Sequence, residues 1–238
     1  MELRYLILFI MPLLGGIIAL SFRMVKQHQL KLFLAFSGAF LFSITILEIL
    51  PSIFSKSENG SLGIYILAGF FFQILIEQFT RGIEHGHVHT HQNPEGLPVM
   101  VIAGLCLHSF IEGIPIGNTL VLTESQRHDL IYGIALHEAP AAFALITLLR
   151  HNNIRMPVLI LVLVLYSGMS LLGIAWSHTL TDIIGIPESM FEKILAIVVG
   201  TFLHISTTIL FENSTNHRFG LYKTLAITLG VGLALLAF

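Results

Sequence analysis

A chain of 238 residues that is 55% hydrophobic and only 11% charged, with a mean hydropathy of +0.84, is not a water-soluble domain, in which about 25% of residues are charged. Its formal net charge of −2 argues against nucleic acid as a partner, and its one cysteine, Cys106, excludes a disulfide framework and a thiolate cluster. The remaining class is an integral membrane protein.

Crossing a bilayer takes about 20 mostly apolar residues. Eight stretches meet that need: 3–22, 32–54, 61–80, 97–122, 130–149, 156–177, 187–211 and 220–238. The first has neither a positive n-region nor a small-residue cleavage site, so it reads as a span rather than a cleavable signal peptide. The second carries Gly38-Ala-Phe-Leu and, near its outer end, Glu48-Ile-Leu-Pro51; the third has Glu77 near its inner end. Between the third and fourth lies a loop, 82–96, containing His85-Gly-His87-Val-His89-Thr-His91, a tract of the kind that binds transition metals loosely through neutral imidazoles. The fourth holds His108-Ser109-Phe-Ile-Glu112-Gly and the fifth His137-Glu138-Ala-Pro. The seventh carries Gly200-Thr-Phe-Leu and His204, with Glu212 just beyond it. Connections are short. The chain reads as an all-α protein, one domain over 1–238, with eight transmembrane helices in a single bundle.

The cations set the orientation. Arg23, Lys26, Lys31, Arg81, Arg150, Arg155, Arg218 and Lys223 fall on one side, and Arg4, Lys56, Arg127 and Lys193 on the other. The richer side is expected to be cytoplasmic, which puts both termini outside and the His-rich loop inside. The pairing of Gly38-Ala-Phe-Leu with Gly200-Thr-Phe-Leu, on spans that cross in opposite senses, hints at an inverted repeat of the transporter kind.

His108, Glu112, His137 and Glu138 all fall near the middle of their spans. Ionisable groups at that depth are costly and usually mark a site for an ion or proton. His108 and Glu112 are one turn apart on one helix face. Two imidazoles and two carboxylates are donors suited to a divalent metal. Pro115 and Pro140 follow the two clusters and disturb the backbone ladder beside them. The competing reading is a buried polar network that only fixes helix packing. Ser109 is expected either to lend its hydroxyl to a metal or to bond back to its own backbone. Glu48, Glu77 and His204, taken singly, read as packing or interfacial residues, with Glu48 and His204 as possible pathway-lining groups. The H-E-x-x-H zinc-protease motif fails here, because Ala141 stands where the second His belongs.

His108-Ser-Phe-Ile-Glu112-Gly-Ile-Pro-Ile-Gly117 resembles the H-N-x-x-E/D-G signature on the fourth helix of the ZIP (Zrt/Irt-like) metal transporters. His137-Glu138-Ala-Pro resembles their fifth-helix H-E-x-P motif, and Glu48-Ile-Leu-Pro51 is similar to their second-helix ending. The resemblance implies a 3+2+3 inverted-repeat fold around spans four and five. It implies uptake of zinc or a related divalent metal into the cytoplasm, with ligation by His108, Ser109, Glu112, His137 and Glu138. Two departures stand out: Ser109 replaces the usual Asn, and Ala141 and Ala142 stand where many members place a His or an acid. Those changes lead to the expectation of one primary metal position and a degraded second one.

The expected function is therefore divalent cation transport at the plasma membrane, with zinc favoured over iron(II), manganese and cadmium. The metal is substrate, no cofactor is expected, and the chain is read as a non-enzyme. The expected partners are metal ions and the lipid bilayer, with no nucleic acid; a homodimer is allowed. Two alternatives compete: an intramembrane metal-dependent hydrolase using Ser109 or a metal-bound water, and a non-transporting metal sensor.

Overall fold

The computed structural model describes residues 3–21, 27–56, 61–80, 82–83, 97–118, 121–211 and 220–237. Among them every regular element is helical. A short 3₁₀ turn, Leu3–Tyr5, leads into α1, Leu6–Ser21. Next comes α2, Gln27–Ile44, which runs through a π turn, Thr45–Ile49, into α3, Leu50–Lys56. Then follow α4 (Leu62–Thr80), α5 (Leu97–Gly117) and α6 (Glu124–His151). The chain continues with α7 (Met156–Thr179), a π turn (Leu180–Ile184), α8 (Glu188–Phe211) and α9 (Leu221–Ala237). Seven helical stretches are long and apolar enough to cross a membrane, and Leu221–Leu236 is a shorter apolar one. With no water in a bilayer core, each backbone amide must be satisfied within its own helix, which is why these apolar runs are helical.

The helix ends follow local chemistry. A capping box starts α6: the Gln126 amide donates to Thr123 Oγ1 at 3.3 Å, and the Thr123 amide donates to Gln126 Oε1 at 3.1 Å. The helix of the fifth span therefore starts at Glu124 instead of the expected 130, with a polar first turn. The fourth span, expected to reach 122, stops as a helix at Gly117. At the other side, Arg150 Nη1 donates to the carbonyls of Ala19 and Leu20 at 3.1 and 3.0 Å, so α6 caps the end of α1. Lys223 Nζ does the same for α8, donating to the Leu210 carbonyl at 2.8 Å.

The helices sort into two groups. One contains α1, α5, α6 and α7, joined by the α1–α6, α5–α7 and α1–α7 contacts; the other contains α2, α4, α8 and α9, joined by α4–α8, α2–α9 and α2–α8. Contacts of α2 with α6, and of α5 with α4 and α8, hold the groups together. Close approach within the first group depends on small residues. A Cβ on Gly113 of α5 would fall 2.1 Å from the Ser170 carbonyl oxygen, and one on Gly173 of α7 would fall 2.1 Å from that of Phe110. Gly38 of α2 faces the Ile209 side chain of α8, whereas Gly200 presses on the Ile66 carbonyl of α4, so the two similar tetrapeptides have different neighbours.

Two apolar clusters are stacked along the bundle. One includes Leu8, Ile44, Ile114, Ala135, Ile174 and Phe202; the other includes Ala19, Leu105, Ala141, Tyr166 and Ile205. On α5, α6 and α7 the polar residues of the middle lie between them: Leu105 and Ile114 bracket His108 and Glu112, Ala135 and Ala141 bracket His137 and Glu138, and Tyr166 and Ile174 bracket Ser170. The fold encloses a thin polar layer between two apolar ones.

Candidate metal centre

α5 positions His108, Ser109 and Glu112, and α6 positions His137 and Glu138. All are buried: His108 is 3% exposed and the other four 0%. Ionised groups so far from water require partners. The one-turn spacing on α5 brings His108 Nε2 to 2.9 Å from Glu112 Oε1. The His108 and His137 rings meet edge to face, with centroids 6.0 Å apart and an interplanar angle of 83°. The structure thus brings the two clusters together across α5 and α6.

Ser109 does not bond back to its own helix. Its hydroxyl donates to Glu138 Oε1 at 2.6 Å, linking the fourth and fifth spans. A residue that no sequence motif marks completes the arrangement. Ser170, from α7, donates to the same Glu138 oxygen at 2.5 Å. Each hydroxyl has a single proton, so with both directed at Glu138 their mutual Oγ–Oγ contact of 3.0 Å is a close approach. The only hint in the sequence was the spacing of Ser167, Ser170, Gly173 and Ser177, which puts small residues on one face of α7, a pattern that usually signals helix packing alone.

The clamp leaves acceptors available. Glu138 Oε2 and Glu112 Oε2 are buried and accept no hydrogen bond among the described residues. Pro115 and Pro140 do not end their helices. Lacking an amide proton, each removes the usual i+4 donor from a carbonyl, that of Ile111 beside Glu112 and that of Leu136 beside His137. Among the described residues, no three His, Cys, Asp or Glu side chains are already grouped so as to hold an ion. The donors are neighbours that stand in internal pairs.

Ala141 and Ala142, 1% and 0% exposed, belong to one of the apolar clusters. No donor stands where a second His or acid would be. The His85–His91 tract lies outside the described residues. Glu48 sits in the π turn after α2, where its carbonyl accepts a hydrogen bond from Gln126 Nε2 at 3.5 Å. Glu77 and His204 do not stand singly. His204 Nε2 lies 2.7 Å from Glu77 Oε2, joining α8 to α4.

Comparison with known proteins fits this arrangement. The family model described as "ZIP Zinc transporter" matches residues 97–237, which contain all the residues of the centre. "Zinc transporter ZIP9" of Micropogonias undulatus is 29% identical over 164 residues, 63% of this chain and 50% of that protein. "Zinc transporter ZIP9-B" of Xenopus laevis is 27% identical over 164 residues, 63% of this chain and 51% of that protein. "Zinc transporter ZIP1" of Homo sapiens is 24% identical over 225 residues, 76% of this chain and 69% of that protein. The aligned part spans about half the length of the ZIP9 relatives.

Proposed function

This chain belongs to the ZIP family, and from that premise we propose that it carries divalent metal cations, zinc foremost, across a membrane through the layer between α5, α6 and α7. The observation that carries the reading is the burial of His108, Glu112, His137 and Glu138 together between two apolar clusters. The apolar clusters on either side of them are barriers to water and ions.

The cation is the cargo. On entering it sheds water and takes the His108 and His137 imidazoles, with Glu112 and Glu138 supplying negative charge. Binding exchanges the His108–Glu112 contact for contacts to the ion. The Ser109 and Ser170 hydroxyls hold Glu138 by one oxygen, which presents the other. With hydroxyl in place of amide at 109 and Ala at 141, the centre holds one metal strongly. Iron(II), manganese and cadmium suit the same donors.

All these ligands belong to the group formed by α1, α5, α6 and α7. Motion of that group against α2, α4, α8 and α9 would open the layer to one side and then the other. Eight of the twelve cations lie on the side that also carries the His-rich loop, which supports uptake into the cytoplasm with both termini outside. We read 1–238 as one transport domain at the plasma membrane, acting without catalysis.

The test is uptake of labelled zinc by cells expressing the wild-type chain, His108→Ala or Glu112→Ala. Uptake above background that both variants lose is the expected result. Equal uptake by all three would overturn the reading.

A further inference from the structure

We propose that two grooves flanking the start of α6 hold one phosphatidylethanolamine molecule, with its head group at Arg4, His128 and Asp129 and one acyl chain on either side of Tyr132. The site requires the chain to lie in a bilayer and is independent of what the chain carries.

The grooves come from the way α6 is packed. α1 presses on α6 at Gly15, where an added Cβ would lie 2.0 Å from the Ala139 carbonyl oxygen. Toward the N-termini of both helices the two part and leave a cavity of about 290 Å³, with Leu6, Ile10 and Ile131 in its walls. On the other flank α9 packs on α2, where a Cβ on Gly230 would lie 2.3 Å from the Phe36 carbonyl oxygen. Between that pair and α6 a cavity of about 670 Å³ remains, walled by Phe40, Leu136, Leu233 and Leu236. His128 and Tyr132 line both cavities, so they form the ridge between them. Two apolar grooves that meet at one polar point have the shape of a two-chain lipid.

The depth also fits. Glu124, His128, Tyr132 and Leu136 follow one another at four-residue steps, so one stripe of α6 passes from charged to apolar. From His128 to Leu136 the rise is about 12 Å, within one leaflet of a hydrocarbon core about 30 Å thick. By contrast, the exposed stripe of Ile64, Leu67, Phe71 and Leu75 on α4 is wholly apolar. A lipid against that stripe has only its chains to hold it.

The polar end supplies both signs of charge. Arg4 Nη1 lies 2.8 Å from Glu124 Oε2 and also contacts His128 Nε2, which gathers a guanidinium and an imidazole at the head of the ridge. In the larger cavity the wall includes Asp129, 8% exposed, and Ser125, whose hydroxyl donates to Asp129 Oδ2 at 3.4 Å. A guanidinium suits a lipid phosphate, and the Asp129 carboxylate suits a cation beside it. A primary ammonium brings three N–H donors. The quaternary ammonium of choline has none, and a glycerol head group has no positive charge to offer. Ethanolamine is the head group that this arrangement selects. Because α6 belongs to one helix group and α2 and α9 to the other, the chain in the larger groove lies on the seam between the groups.

Native mass spectrometry of the purified full chain, equilibrated with defined lipids of equal acyl chains, tests this. Phosphatidylethanolamine is expected to be retained at about tenfold lower concentration than phosphatidylcholine or phosphatidylglycerol, the effect of one charge-assisted hydrogen bond. Asp129→Asn, folded by melting profile, is expected to erase that preference. Leu233→Trp and Ile10→Trp each fill one groove and should lose retention of all three lipids. Leu229→Trp, one turn away on α9 and outside the walls, should retain them like the wild type. Leu233 and Ile10 are 44% and 45% exposed, so these two variants decide the matter even if Asp129→Asn does not fold. Equal retention of the three lipids by the wild type would overturn the site, as would unchanged retention in both tryptophan variants. Dimers that retain no lipid and are broken by Leu233→Trp and Ile10→Trp would give this face to a second copy of the chain and also overturn it.

Discussion

Ser170 on α7 donates its hydroxyl to Glu138 Oε1 on α6 at 2.5 Å, the oxygen that also accepts Ser109 Oγ from α5 at 2.6 Å. One carboxylate oxygen therefore ties three helices together, and its partner oxygen accepts no hydrogen bond among the described residues. A hydrogen bond to a charged group is worth about 1.5–3 kcal/mol. Ser170→Ala is expected to change the KM for zinc by about tenfold or more, with a smaller effect on maximal rate. Ser109→Ala should act likewise. Because both hydroxyls serve one atom, the double variant should depart from the sum of the single effects, which a double-mutant cycle on zinc KM measures. Strict additivity would mean the two serines do not act on Glu138 together.

Gly173 faces the Phe110 carbonyl across the α5–α7 contact, at 2.1 Å from a Cβ. Backbone cannot yield there as a flexible side chain would. Gly173→Ala should lower the melting temperature of the purified protein, in keeping with overpacking costs of about 1–3 kcal/mol. Gly168, where an added Cβ would have no neighbour within 4 Å, supplies the control. Gly168→Ala is expected to melt like the wild type.

Ala141 is 1% exposed in an apolar cluster, one turn beyond His137 on α6. Ala141→His would put an imidazole where the resemblance to the fifth-helix motif implies a donor. Without metal, the variant should be less stable than the wild type, because an unsatisfied buried polar group costs about 1–3 kcal/mol. Zinc should then raise its melting temperature more than it raises that of the wild type, since ligand binding to the folded state stabilises it. A zinc-induced shift no larger than the wild type's would remove Ala141 from the metal environment.

In the proposed centre, metal and protons would compete for the same imidazoles and carboxylates. Binding a metal releases protons, so zinc affinity should fall as pH is lowered and recover when it is raised again. Isothermal titration at several pH values in buffers of different ionisation enthalpy measures both the affinity and the protons released. Proton release of zero would mean that these ligands are not the ones used.

The sequence made the spans visible because length and hydropathy alone decide what crosses a bilayer. It failed where charge enters a helix. Arg127 and Asp129 are buried near the start of α6, 2% and 8% exposed, and their polarity masked a helical turn that the Thr123–Gln126 capping box secures. The His108–Glu112 contact was legible because spacing along one helix fixes it. The contact between the His108 and His137 rings was foreshadowed by their matched depths. Ser170 was not legible, because a serine on a face of small residues looks the same whether it packs or binds. The Glu77–His204 pair joins residues 127 positions apart. Each reads as an ordinary interfacial residue, and only the packing of α4 on α8 unites them.

The layer between α5, α6 and α7 is the proposed path of the metal. Zinc flux into proteoliposomes containing the purified chain, followed with an entrapped fluorescent zinc indicator, tests it most directly. Zinc-dependent flux is expected for the wild type, with Glu112→Gln and His137→Ala each reduced to the rate of empty vesicles while remaining folded by melting profile. Flux that persists undiminished in both folded variants would contradict it.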